Sequence, residues 1–145
     1  MYFVDRKKIE DTLCYMEKML TLYEQQSSWN DEMTQLALER IVHVCIEAVL
    51  DVGNAMIDGF IMRDPGSYDD IIDILTDEKV VTEEDAKQLK AIIHYRKMLV
   101  QQYTTPNRVE LLEAFRRSLQ ALQAYPKAIR TYLENELGPV SAFRN

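Results

Sequence analysis

Residues that break regular structure are scarce in this sequence. Its 145 residues include four glycines and four prolines, which nearly excludes an all-β sandwich and points to long uninterrupted helices. The four glycines, Gly53, Gly59, Gly66 and Gly138, are too scattered for a phosphate-cradling loop, so ATPase and dinucleotide-binding readings are dropped. The two cysteines, Cys14 and Cys45, lack CxxC or Cys/His spacing, and neither a disulfide scaffold nor a structural zinc is supported. Both lie in apolar helical stretches, so the expectation is two buried structural thiols and a reducing, cytoplasmic setting. No apolar run approaches the ~20 residues of a membrane span, and charges begin at the fifth position, as expected of a soluble, unprocessed protein with no membrane partner.

What is present is a core-forming composition, 47% hydrophobic and 28% charged, at a length that suits one domain, residues 1–145. The net charge is −7, which by itself disfavours a nucleic-acid partner. The total hides an asymmetry. Residues 64–85 hold one basic and nine acidic side chains, whereas residues 86–145 hold ten basic and four acidic. A folded chain can therefore present a basic surface from its last third, and net charge does not decide the partner.

Periodicity gives an all-α architecture. Asp5 is placed to cap a first helix whose apolar residues Ile9, Leu13, Met16, Leu20 and Tyr23 step by three and four, ending near Gln25-Gln26-Ser27-Ser28. A second helix starts at Asn30 or Asp31 and carries Leu36, Leu38, Ile41, Cys45, Val49, Val52 and Met56 to the region of Gly59, long enough to form a central spine. The turn Asp64-Pro65-Gly66-Ser67 introduces a short helix from Asp69 to about Lys79, with Ser67 as cap. Thr82-Glu83-Glu84-Asp85 opens a fourth helix reaching about Tyr103, and Asn107 with Glu110 opens a long last helix. Pro126 predicts a kink or short break near Tyr125, and Gly138-Pro139 a stop after Leu137. The expected fold is an up-and-down bundle of about five helices. Several apolar stripes are broad for that size, which favours burial against a second copy, a homodimer.

Few constellations carry chemistry. Glu39, His43 and Glu47 share one face of the second helix, but their spacing of four is not that of a di-iron bundle, and they read as a solvated or dimer-facing stripe. Asp69, Asp70, Asp73 and Asp77 lack the pattern of a calcium loop and read as a charged helix face. No metal and no cofactor is expected. What remains is His94-Tyr95-Arg96-Lys97-Met98-Leu99-Val100-Gln101-Gln102-Tyr103 in the basic third of the chain. On a continuous helix Arg96 and Tyr103 lie ~20° apart, Gln101 is rotated ~140° from Arg96, and His94 is ~160° from it. Arginine, amide and phenol groups near a helix end can grip phosphate and ribose.

This segment resembles the signature of HepT-like proteins, a branch of the all-helical HEPN superfamily, whose motif is Arg-Asn, three residues, His, any residue, Tyr. The resemblance extends to Ile46-Glu47 through Asp51-Val52-Gly53-Asn54-Ala55-Met56-Ile57 and to Asp64-Pro65-Gly66-Ser67-Tyr68, similar to the family's Pro-x-Ser-Tyr turn. It spans about residues 5 to 135, and the whole chain is especially similar to the YutE-type subgroup of Gram-positive bacteria. The resemblance implies a homodimer whose two motif helices line an interface cleft. It also implies a toxin of a two-gene toxin-antitoxin system, acting as a metal-independent endoribonuclease. A small nucleotidyltransferase antitoxin would neutralise it by attaching AMP to the motif tyrosine.

By position, Arg96 would contact the scissile phosphate and stabilise developing charge, and Tyr103 would be the adenylylation site. The catalytic histidine's position is Gln101, and the motif asparagine is Lys97. A glutamine amide cannot exchange a proton with the 2′-OH or the leaving 5′-oxygen near neutral pH. Binding through Arg96, Lys97, Gln101 and Tyr103 is expected to persist while a factor of ~10²–10⁴ in rate is lost.

Tyr68 and its turn read either as the rim of the cleft or as a packing feature. Lys87, Lys90, Arg116, Arg117, Lys127 and Arg130 read either as an RNA-facing patch or as a solvated face. The competing function is a non-catalytic helical dimer that docks a protein partner through Asp69, Asp70 and Asp73.

Overall fold

The structure is a computed structural model describing residues 3–138, and among these every regular element is a helix. In chain order they are α1 (Arg6–Gln25), α2 (Glu32–Gly59), α3 (Tyr68–Asp77), α4 (Glu83–Ile93), α5 (Arg96–Gln101) and α6 (Arg108–Leu137). Five have ten or more residues and α5 has six. Each long helix starts where a side chain satisfies an orphan amide. Asp5, Asp31, Ser67, Thr82 and Asn107 each accept from the backbone N–H three residues on.

The first-helix stripe is buried as its spacing predicts: Ile9, Leu13, Met16, Leu20 and Tyr23 all face the core. The 28 residues of α2, ~42 Å long, form the spine against which α1, α3, α5 and α6 pack. Gly53 is what lets α3 come close, because a Cβ there would stand 2.6 Å from Ile71 Cγ2. Phe115 and Tyr125 of α6 are fully buried. The Tyr125 hydroxyl donates to the Val49 carbonyl at 2.8 Å, and Phe115 meets the Tyr23 ring edge-on at 4.8 Å. Tyr23 also stacks on Trp29 at 5.5 Å, which places that tryptophan in the packing.

Three expectations are corrected. The helix carrying Pro126 is not interrupted near Tyr125, since α6 runs through to Leu137. Proline removes one amide from the ladder, and the burial of Leu122, Tyr125 and Ile129 on the flanking turns outweighs that cost. The expected stop holds at Gly138, at φ 84°, while Pro139 lies outside the described residues. Cys14 is exposed, and only Cys45 is buried. Cys14 lies one position off the buried Leu13 stripe and turns to Glu10, whose carboxylate accepts from its thiol at 3.1 Å.

The third correction concerns the fourth helix, which does not reach Tyr103. It tightens at His94-Tyr95, where the Tyr95 amide bonds Ile92, three residues back. A new short helix, α5, then runs from Arg96 to Gln101. The side chains at this break pull apart. His94 reaches Asp69 on α3 at 2.9 Å, and the Tyr95 hydroxyl donates to Glu110 on α6 at 2.9 Å.

Candidate functional site

Arg96 opens α5 and lies against the spine. Its Nε donates to Glu47 Oε1 of α2 at 2.6 Å, and its guanidinium carbon sits 4.9 Å from the centre of the Tyr68 ring. The hydrogen bond to Glu47 holds the guanidinium even more firmly charged than usual. His43 lies 3.5 Å from the same carboxylate oxygen. The α2 stripe of Glu39, His43 and Glu47 is thus not simply solvated: Glu47 positions Arg96, and Glu39 binds Arg108 at 2.7 Å.

A groove of about 590 Å³ opens beside Arg96. Arg96, Lys97, Val100 and Gln101 form one wall, and Tyr68 and Asp69 with His94 complete it. On α5 the four wall residues fall within ~140° of one another, so Arg96 and Gln101 share one broad face despite their rotation. Tyr103 does not join them. The helix unwinds at Gln102, where ψ is 36°, and Tyr103 lies in the following turn, 69% exposed. His94, which a continuous helix would turn away, lines the groove with Arg96 because of the break that precedes α5. Of the motif positions, the structure therefore brings Arg96, Lys97 and Gln101 together and leaves Tyr103 outside.

The other strongly paired arginines are engaged through all three nitrogens, as Arg96 is not. Arg108 engages Glu39, Glu32 and Gln35 through Nε and both terminal nitrogens. Arg130 likewise engages Glu10 and Glu17 through all three. Arg96 uses Nε alone among the described residues. Both of its terminal nitrogens remain to grip a bidentate acceptor such as a phosphate.

Of the six residues read as a possible basic patch, four are engaged by carboxylates: Lys90 holds Asp73 at 2.7 Å, Arg116 and Arg117 share Glu113, and Arg130 is clamped by Glu10 and Glu17. The acidic stripe is partnered in the same way. Asp69 pairs with His94, Asp70 with Arg63 and Asp73 with Lys90. The Arg63 hydrogen bond holds the Asp70 carboxyl below its usual range.

Two partners of the site, Glu47 and Asp69, enter the sequence reading as members of acidic stripes and not as partners of Arg96 and His94. Glu47 stands in the stretch that resembles the family, and the four-residue spacing places it with His43, but only the crossing of α5 over α2 brings it to Arg96. Among the described residues no group of three His, Cys, Asp or Glu side chains is arranged to hold a metal ion, and no helix is long and apolar enough to cross a membrane.

Comparison with known proteins agrees with this architecture. The family model described as "Ribonuclease HepT-like" matches residues 9–129, a span that includes the whole groove. YutE of Bacillus subtilis strain 168, named as a candidate RNase, is 60% identical over 144 residues, which cover 99% of this chain and 100% of that protein. The solved structure of cytosolic YutE from Bacillus subtilis matches with a TM-score of 0.95 at 60% identity, over 99% of this chain and 100% of that one. A tri-AMPylated HEPN toxin of Shewanella oneidensis, solved with its MNT antitoxin, has the same fold. Its TM-score is 0.73 at 18% identity, over 85% of this chain and 96% of that one. The match of the family model across residues 9–129 and the 60% identity to YutE place the chain in the HepT-like ribonuclease family.

Proposed function

We propose that this chain is a HepT-like, HEPN-type ribonuclease toxin-family protein of a toxin-antitoxin system. It binds RNA or a nucleotide in the α5 groove through Arg96, Lys97 and Gln101. The observation that carries the reading is the free guanidinium edge of Arg96, fixed by Glu47 and Tyr68 at the wall of a groove. Fixing Nε costs the arginine its rotational freedom in advance, so a phosphate meets a preorganised pair of donors.

Catalysis is weak or lost in this reading. Gln101 stands where the family motif has histidine, and its amide hydrogen-bonds phosphate or sugar without taking up a proton. The chain acts as a single domain over residues 1–145 and as a homodimer. Tyr68 and Val100, both exposed and lining the groove, support a second copy closing that side. Tyr103 is the adenylylation candidate, and its exposure makes it accessible to a nucleotidyltransferase antitoxin. The Shewanella oneidensis toxin, AMPylated and bound to its antitoxin, supports that partner. A cytoplasmic location fits the absence of any membrane-crossing helix among the described residues.

The alternative, a docking module using Asp69, Asp70 and Asp73, is weakened because each of these carboxylates already has a cationic or imidazole partner within the chain.

The test is cleavage of a mixed RNA pool in EDTA by the native chain, Arg96→Ala and Gln101→His. The expected result is slow or undetectable cleavage by the native chain, a gain of about 10²-fold or more in Gln101→His, and loss of that gain when Arg96→Ala is added. If Gln101→His stays at the native level while its fold is intact, the assignment of Gln101 to the catalytic position fails. A monomer by light scattering removes the dimer.

A further inference from the structure

We infer that the Asp69–His94 pair acts as the proton-transfer group of the α5 groove, a displaced substitute for the histidine that Gln101 replaces. This rests on the RNA-binding reading above and assigns the residues that would act there.

Three observations support it. His94 lines the same groove as Arg96 and Gln101, so a phosphate held by Arg96 lies in a cavity that His94 borders. His94 Nε2 is bound by both Asp69 oxygens, at 2.9 and 3.1 Å. A carboxylate only accepts, so in neutral His94 the proton is fixed on Nε2 and the lone pair is left on Nδ1. Nδ1 has no hydrogen-bond partner among the described residues. An orienting carboxylate, an imidazole with one free nitrogen and an arginine on the phosphate together make the base, its positioner and the charge stabiliser that acyl- and phosphoryl-transfer sites assemble.

The step closes without a metal or other co-reactant. Neutral His94 takes the 2′-OH proton at Nδ1 as the O2′–P bond forms and the P–O5′ bond breaks. The leaving 5′-oxygen takes a proton from solvent, and the imidazolium returns its own to solvent. The products are a 2′,3′-cyclic phosphate and a 5′-hydroxyl. Arg96 stabilises the charge that builds on the phosphoryl oxygens. Asp69 is a positioning residue and touches no reacting atom. The charged groups around the ring are Asp69 and Asp73 of α3, Lys90 of α4, Arg96 and Lys97 of α5, and Glu110 of α6.

The experiment measures binding and cleavage of one labelled mixed-sequence RNA in EDTA, across pH 5 to 9. It compares the full native chain with His94→Gln, His94→Gly and Asp69→Asn. His94 is 64% exposed at its side chain, so these substitutions leave the core intact. The expected native result is slow cleavage. His94→Gln binds the RNA as the native chain does and cleaves at least about 100-fold more slowly. Added imidazole restores cleavage to His94→Gly, a rescue that a merely structural histidine would not show. Asp69→Asn retains binding and cleaves about 10-fold more slowly.

Native binding with no cleavage at any pH, or cleavage unchanged in His94→Gln, overturns the inference while leaving the groove as an RNA site. A native chain that fails to bind the RNA overturns both.

Discussion

Arg130 and Arg96 face glutamates in two different regions, and the contrast separates structural from functional charge. On the seam between α6 and α1, Arg130 spends Nε and both terminal nitrogens on Glu10 and Glu17, at 2.6 to 2.9 Å. All three nitrogens are engaged, and four of the five N–H donors are spent on the two carboxylates. At the start of α5, Glu47 takes only Nε of Arg96 and Tyr68 covers one face. The seam is closed electrostatics over a packed core of Leu13, Met16, Phe115 and Ile129. The α5 segment contributes no fully buried residue, so its geometry is set by contacts to α2 and α3. An arginine that is positioned but not saturated is the mark of a binding edge, whatever the net charge of the chain.

The packed region is where stability can be broken most severely. Phe115→Ala removes a fully buried ring that meets Tyr23 edge-on and is expected to cost about 3–5 kcal/mol. Urea unfolding measures this. Val100→Ala in the exposed groove wall, measured the same way, is expected to cost under about 0.5 kcal/mol.

A smaller effect comes from the clamp itself. Arg130→Met is expected to cost about 1 kcal/mol near neutral pH, since the pairs are partly exposed. The Arg130 hydrogen bond holds the Glu10 carboxyl below its ordinary value of 4.5. A depressed folded pKa gives stability that is present above the ordinary carboxylate range and is lost as pH falls through the folded value. Native stability should therefore decline on acidification below about pH 4.5, and the Arg130→Met chain should lose part of that dependence. Unfolding midpoints at pH 7 and pH 3.5 check both. Arg96→Ala should leave stability at pH 7 within about 1 kcal/mol of native, because the partly exposed Glu47 carboxylate can be hydrated.

The smallest change is a contrast of thiols. Burial pushes the Cys45 thiol up to about 12, whereas Cys14 is exposed and raised chiefly by its bond to Glu10. Alkylation of the native chain at pH 8 is expected to modify Cys14 alone, and denaturant to release Cys45. Equal rates for both would contradict the packing of α2.

The bundle was legible because helix signals are local. The caps Asp5, Ser67, Thr82 and Asn107 and the stripe from Ile9 to Tyr23 need only short-range spacing. Pro126 was misleading because tertiary packing on both sides of it overrides a local cost. Cys14 was misleading because an apolar neighbourhood in sequence does not fix which face a residue takes.

For the site, the resemblance of the segment from Arg96 to Tyr103 located α5, and the helix break moved two of its neighbours. Extrapolating one continuous helix set Tyr103 beside Arg96 and turned His94 away. The tightened turn at Tyr95 and the unwinding at Gln102 reverse both placements. Glu47 and Asp69 are long-range partners, 49 and 25 residues from Arg96 and His94 respectively, and no local spacing in sequence reveals such pairs.

The central claim is that the free edge of Arg96 is an RNA-phosphate site. Its most direct test is the affinity of the native chain and of Arg96→Ala for a labelled single-stranded RNA over a series of salt concentrations. The account predicts at least about a 10-fold weaker complex for Arg96→Ala and a salt slope shallower by about 0.7 for each phosphate that the variant no longer neutralises. Arg130→Met should match the native chain. Equal affinity and equal slope for native and Arg96→Ala would contradict the account.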